Sequence, residues 1–246
     1  MNETYTPGYS ANAVDFMARR SAEKQARFLL PHLKSGQRIL DIGCGPGTIT
    51  LGLAKIVAPL KRARQNAAQS KIENVTFIHG SVYELPFANK AFDLVFAHAV
   101  FEHLKEPIAA LHEIRRVLKP NGLVALRSPD WGGFIVAPET SGLQAAIKCY
   151  TDIQTHNGGD IQVGRKFPGL LRAAGLESKI FSAGYECYES APLIAEYLAL
   201  QLVKSGAQNE AESLRQWSRH PDAIFAQAWC EIIGIALQVE TLKASQ

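Results

Sequence analysis

The fold class that the sequence predicts is α/β: a Rossmann-like three-layer sandwich, with a mostly parallel twisted sheet and helices on both faces. Three observations predict it. Short apolar runs alternate with amphipathic stretches from Arg38 onward, the rhythm of βα units. The run ILDIGCGPGTIT, Ile39 to Thr50, reads as a strand that breaks into three glycines and resumes as a helix. The 246 residues are 47% hydrophobic, enough for a substantial core.

Taken in order, Ser10 to Leu33 sets Val14, Phe16, Met17, Phe28, Leu29 and Leu30 among charged residues in a helical rhythm, so one or two helices come first. RILDIG is a buried strand, TITLGLAKIV a helix stopped by Pro59, and LKRARQNAAQS a further helix. NVTFIHG and AFDLVFAHAV read as strands, PIAALHEIRRVLKPNG as a helix with a Pro-Asn-Gly stop, and LVALRSP as a strand. RKFPGLLRAAG is a short helix closed by Gly175, and ESKIFSAGYECY a strand. Two helical stretches follow Ser190, and AIFAQAWCEIIGIA, which fits helix or strand, is read as a strand. No repeat or linker interrupts the chain, so residues 1–246 are expected to form one domain. Its N-terminal helices (10–33) and an insertion (130–168) are expected to cap the site.

Composition excludes several classes. The 26 basic and 23 acidic residues give a net charge of +3 with no basic tail, so no nucleic-acid partner is expected. Cys44, Cys149, Cys187 and Cys230 lie far apart, without C-x-x-C pairs or histidine clustering, so neither a metal site nor a disulfide framework is expected. The first residues carry no basic-then-apolar leader, and no apolar run approaches the roughly 20 residues of a membrane span. A soluble, cytoplasmic protein is the expectation; the oligomeric state is left open.

Glycines let the backbone turn sharply and approach a ligand where any Cβ would clash, and the helix behind them presents unpaired N–H groups. After a buried strand bearing Asp41, the pattern D-x-G-x-G-x-G resembles the first motif of class I S-adenosylmethionine-dependent methyltransferases. The dinucleotide fingerprint G-x-G-x-x-G places its third glycine one residue later. The resemblance runs from about Ser21 to about Leu176, through HGSVYELPFANKAFDLVFAHAVFEHLKEP and EIRRVLKPNGLVALRSP. It is nearest to the small-molecule branch that contains quinone-biosynthesis enzymes.

The resemblance implies S-adenosyl-L-methionine as cofactor. Asp41, Gly43, Cys44, Gly45 and Thr48 match positions lining its methionine and ribose portions, and Ser81 and Val82 the pair beside the adenine. The family commonly has aspartate where Ser81 stands, which weakens a bond to the adenine amine. His98 and Ala99 match the end of the fourth family strand, beside the reaction centre. AHAVF replaces the N-P-P-Y type tetrapeptide of amino-methylating enzymes, which points to a small-molecule acceptor.

One family element is missing. An acidic residue at the end of the second strand should bind the ribose hydroxyls about 20 residues after the glycines. That count lands in LKRAR, where Lys61, Arg62 and Arg64 stand, and the second strand itself is absent. Deleting an interior strand would leave its neighbours roughly twice the normal 4.8 Å apart, with two ladders unpaired. A segment omitted at Pro59–Leu60 is therefore the preferred account, against direct pairing of the flanking strands. The basic trio suits an NADP phosphate, but a solvated helix face explains it more simply.

Methyl transfer requires a base only if the acceptor keeps its proton. His98 and His103, with Glu102 between them, are the candidates, each set against a purely structural role. The acceptor pocket is expected from the N-terminal helices and the insertion. Trp131, Phe134, Tyr150 and Phe167 would form an apolar wall, while Tyr5, Tyr9, His156 and Arg165 would orient a polar group. The expected function is methylation of a small, fairly apolar organic molecule. The alternatives are a catalytically silent scaffold of the same fold and an NADP-dependent oxidoreductase.

Overall fold

Apolar runs become strands of one sheet, and the mixed, exposed run ESKIFSAGYEC becomes an edge strand. The computed structural model describes residues 6–8, 10–58, 72, 74–188 and 190–237. Its five strands are β1 (Ile39–Ile42), β2 (Phe92–His98), β3 (Leu118–Ala137), β4 (Glu177–Cys187) and β5 (Ile224–Ile235), in the order β1-β2-β3-β5-β4. β1 with β2 and β2 with β3 pair parallel, whereas β5 lies antiparallel to both β3 and β4. Only β5 is therefore reversed, and the sheet is mostly parallel.

Most helices follow the pattern read from sequence, but PIAALHEIRRVLKPNG is helical only through Val117, and its Pro-Asn-Gly end lies in β3. α1 (Ala11–Ala18) and α2 (Ala22–Gln25) are capped by Ser10 and Ser21, whose hydroxyls accept backbone N–H bonds of the first turn. α3 (Thr48–Val57) occupies TITLGLAKIV, and α4 (Pro107–Val117) starts on a proline whose fixed φ suits a first helical position. α5 (Ser141–His156), α6 (Val163–Ala173), α7 (Ala191–Lys204) and α8 (Gln208–Ser218) complete the set among the described residues.

Alternation along β2 divides the core between the two faces. Val95 and Ala97 pack with Leu111 and Ile114 of α4 and Phe167 and Leu171 of α6. Leu94 and Phe96 pack on the opposite face with Ile49 and Leu53 of α3 and with Leu29. A third cluster joins α1, α5, α7 and α8 around Trp131, Tyr150 and Phe225. Segments far apart in sequence thus meet beyond the strand ends.

Two expectations are corrected. NVTFIHG is not a strand: residues 75–80 have no ladder partner among the described residues, and Phe77 and Ile78 are each 58% exposed. A strand needs a neighbour for its backbone groups, and none of the described residues supplies one. These residues do not pair directly with β1 either. The proposed junction at Pro59–Leu60, the helix LKRARQNAAQS and the trio Lys61, Arg62 and Arg64 lie outside the described residues. The second correction concerns LVALRSP, which is the middle of a much longer β3. Its continuation through Ala137 pairs with β5 across a register shift between Asp130 and Phe134.

Candidate active site

The chain leaves β1 through Gly43 (φ 69°) and Gly45 (φ 53°) and enters α3 at Thr48. Both glycines hold the left-handed conformation that side chains disfavour. At Gly43 a Cβ would also stand 2.5 Å from Cγ2 of Val100. A cavity of about 450 Å³ opens above this turn, at the C-terminal ends of β1 and β2. Asp41, Gly43, Cys44, Gly45, Thr48, His98 and Ala99 all line it, so seven residues expected at the cofactor come together. Ser81 and Val82 do not line it; the Ser81 hydroxyl instead accepts the Tyr83 N–H at 3.2 Å.

Asp41 accepts a 2.5 Å hydrogen bond from Thr50 Oγ1 and has no ion-pair partner among the described residues. Burial pushes its carboxyl up to about 7, against the opposing pull of the Thr50 bond. A carboxyl at the cavity wall, without a counter-charge among the described residues, suits a cationic ligand group. Cys44 is held in its thiol form, first by burial and then by the nearby Asp41.

Ala99, at the end of β2, holds φ 55°, an unusual value for a residue with a Cβ, and its N–H bonds to the Arg127 carbonyl at 2.8 Å. It borders the main cavity and also a smaller inner chamber of about 40 Å³. Arg20 and His103 border both spaces as well. Trp131, Tyr150, Tyr188, Tyr197, Gln227 and Trp229 form much of the inner wall.

Below the chamber, Arg127 makes ion pairs with Glu186 (2.7 Å) and Glu231 (3.0 Å) and lies 4.0 Å from the centre of the Trp229 ring. It also donates to Nδ1 of His98 at 3.5 Å. Guanidinium can only donate, so Nδ1 is the acceptor and the His98 proton sits on Nε2. Burial, then the charges of Arg20 and Arg127, hold His98 well below the usual histidine range. His103 falls to about 4, through burial and Arg20. Glu102 accepts a 2.8 Å bond from Ser128 Oγ, and burial pushes it up to about 7. Among the three, Glu102 is the group poised to exchange a proton near neutrality.

The residues expected at the acceptor are divided. Trp131 and Tyr150 face the inner chamber with ring centres 4.9 Å apart. Arg165 is held by Asp130 in a two-point ion pair (2.6 and 2.7 Å), and His156 is exposed at the end of α5; neither lines the main cavity or the inner chamber. Phe134 packs against Phe225, and Phe167 is fully buried against Phe101 on the α6 side of the sheet. Tyr5 and Tyr9 lie outside the described residues.

Sequence reasoning missed Arg20, Arg127, Gln227 and Trp229. A signal existed for Arg127, a charge inside the apolar strand LVALRSP. Gln227 was marked in the same way within AIFAQAWCEIIGIA. Its Nε2 donates to the carbonyls of Asp130 (2.8 Å) and Ala228 (3.3 Å), so Oε1 is the atom left to accept.

A glycine turn after the first strand, a carboxyl beside it and a cavity at the strand ends together define an α/β protein of the methyltransferase type. Residues 33–153 match the family described as Methyltransferase domain. An uncharacterized methyltransferase of Schizosaccharomyces pombe is 34% identical over 184 residues, covering 65% of this chain and 66% of that protein. Demethylmenaquinone methyltransferase of Staphylococcus aureus is 33% identical over 105 residues, covering 37% and 43% of the two chains. A SAM-dependent methyltransferase structure from Aquifex aeolicus has the same fold, with a TM-score of 0.54, 14% identity and coverage of 94% and 100%. Residues 33–153, which hold the glycine turn and the ends of β1 and β2, belong to the methyltransferase domain family. The chain spans from under half to about two thirds of the length of these curated relatives.

Proposed function

We propose that this chain transfers a methyl group from S-adenosylmethionine to a small organic acceptor. The observation that carries the reading is the cavity over Gly43 and Gly45, which shares Arg20, Ala99 and His103 with the inner chamber. S-adenosylmethionine supplies a methyl group already activated on a sulfonium, so the residues around it chiefly orient and desolvate. Asp41 would hold the ammonium of the methionine portion, with Gly43, Gly45 and Thr48 giving the close main-chain approach. Trp131 and Tyr150 would hold the acceptor, with residues 10–33 and 130–168 capping the chamber. Where the acceptor carries a proton, Glu102 would take it.

The demethylmenaquinone enzyme's name and the aromatic walls support a cyclic, partly apolar acceptor. No helix among the described residues is long and apolar enough to cross a membrane, and no cluster of three or more metal-ligating side chains is found among them.

The test is calorimetry with S-adenosylhomocysteine and with NADP. Micromolar binding of the first and none of the second is expected. Silence with both would leave a scaffold of this fold, and a preference for NADP would overturn the cofactor.

A further inference from the structure

Strand alternation turns Phe225, Gln227, Trp229 and Glu231 of β5 to one face of the sheet. Phe225 packs in the helical cluster and Glu231 pairs with Arg127, while Gln227 and Trp229 line the inner chamber. Both are buried, at 2% and 6% exposure. Each keeps one buried polar atom without a hydrogen-bond partner among the described residues, Gln227 Oε1 and Trp229 Nε1. The first can only accept and the second can only donate.

Neither atom is free to turn away. Gln227 Nε2 donates to the carbonyls of Asp130 and Ala228, so a flipped amide would set its oxygen against two carbonyl oxygens. The Trp229 indole lies 4.0 Å from the Arg127 guanidinium and stacks on His98 with ring centres 5.1 Å apart. An acceptor and a donor are thus pre-set two residues apart on one strand, roughly 7 Å along the backbone. Orphaned buried polar atoms are costly, and native interiors rarely keep them. The chamber, about 40 Å³, has room for about three waters or for the polar end of a ligand. It shares Ala99 with the main cavity, so a ligand end seated there belongs to a molecule that reaches the cofactor side.

We propose that Gln227 and Trp229 determine acceptor specificity by reading a hydroxyl and a carbonyl of one molecule, the hydroxyl donating to Gln227 Oε1 and the carbonyl accepting from Trp229 Nε1. The methyl acceptor is then a neutral hydroxy-carbonyl compound. This rests on the methyltransferase reading above and deepens it. A site that must pair its own buried groups rejects an analogue lacking either partner far more strongly than an apolar wall discriminates by shape. The hydroxyl held at Gln227 keeps its proton, so that end is the anchored one and the methylated atom lies nearer Ala99.

Matched probes test this by calorimetry on the full chain loaded with S-adenosylhomocysteine. The 3- and 4-hydroxyacetophenones offer two oxygen spacings, acetophenone lacks the hydroxyl, and the 3- and 4-ethylphenols lack the carbonyl. At least one hydroxyacetophenone should bind about tenfold or more tightly than both acetophenone and its own ethylphenol. Trp229→Phe should remove the preference over the ethylphenol and keep the preference over acetophenone. Gln227→Met should do the opposite. Crossed losses of this kind separate a lost contact from a loosened site, which lowers all affinities together.

If neither hydroxyacetophenone outbinds both of its truncated probes, or none of the probes binds, the proposal is overturned and the two atoms belong to ordered water. An equal loss of both preferences in Trp229→Phe also overturns it. Should Gln227→Met fail to fold, the Trp229→Phe result decides alone. Failure of the wild-type protein to bind S-adenosylhomocysteine at all would instead sink the methyltransferase reading. The same probes on the unloaded protein would then decide whether Gln227 and Trp229 read a hydroxy-carbonyl ligand.

Discussion

Arg127 donates to Nδ1 of His98, and that bond makes His98 a donor through Nε2 rather than a proton acceptor. With one ring nitrogen occupied and the other protonated, His98 has no free lone pair for an acceptor's proton. Nitrogen-15 spectra of the imidazoles should show His98 neutral and in the Nε2–H form down to pH 5. His103, held at about 4, should be neutral there too. An imidazolium signature for His98 at pH 5.5 would contradict this assignment.

Asp41 carries its own pH signature. Its carboxyl sits at about 7 in the folded chain against 3.8 for the unperturbed group, so the folded state holds an extra proton between those values. Stability therefore falls as pH rises through that window. Asp41→Asn keeps the acceptor for Thr50 and removes the titration. Relative to wild type, the variant should gain about 2–4 kcal/mol of stability between pH 4 and pH 8, as measured by urea unfolding. A flat difference would show that Asp41 is ionised like a surface carboxylate.

Binding should be linked to the same proton. A ligand ammonium beside Asp41 favours the carboxylate, so binding of S-adenosylhomocysteine releases a proton near neutrality. Affinity is expected to rise from pH 6 to pH 8, and the heat of binding to depend on the buffer. Both effects should vanish in Asp41→Asn.

The two glycines of the turn should behave differently. At Gly45 an added methyl group finds nothing closer than Met17 Sδ, at 3.9 Å. Gly45→Ala should thus lose only about 1 kcal/mol of stability, from its left-handed backbone, while binding of S-adenosylhomocysteine disappears. Gly43→Ala adds a collision with Val100, so its loss should be about 1–3 kcal/mol larger and be partly recovered by Val100→Ala. Thermal unfolding and calorimetry on the same samples separate the two effects.

Phe167 provides a control for the position of the acceptor wall. It is fully buried among α4, α6 and β3, away from both cavities. Phe167→Ala should cost about 3–5 kcal/mol of stability at little cost to ligand affinity per folded molecule. Trp131→Ala, also at a cost in stability, should weaken acceptor-side binding more than cofactor binding.

Local signals were legible where local physics decides the outcome. Glycines at 43, 45 and 47 placed the turn, Pro107 and Ser10 placed helix starts, and the periodicity of TITLGLAKIV gave α3 with its bounds. The ambiguous AIFAQAWCEIIGIA is settled as β5 by partners on both sides, β3 and β4, which no local window contains. NVTFIHG failed for the converse reason, since its β propensity had no neighbour to satisfy. The cofactor side of the site sits within one βα unit and one strand end, and was readable. Arg20, Gln227 and Trp229 meet only because α1 and β5, about 200 residues apart, close on the same space. Arg165 looked like a ligand contact and is instead held by Asp130.

The placement of β5 between β3 and β4 has a kinetic corollary. The strand that is made last among the described elements must slot into the middle of a half-built sheet, bringing Glu231 and Trp229 to the Arg127 that fixes His98. A nascent chain still lacking that strand would have the glycine turn but no rear wall, and an unzipped edge along β3. Competence to grip an acceptor should therefore arise in one late step, after synthesis has passed Ile235, rather than accumulate as the chain emerges.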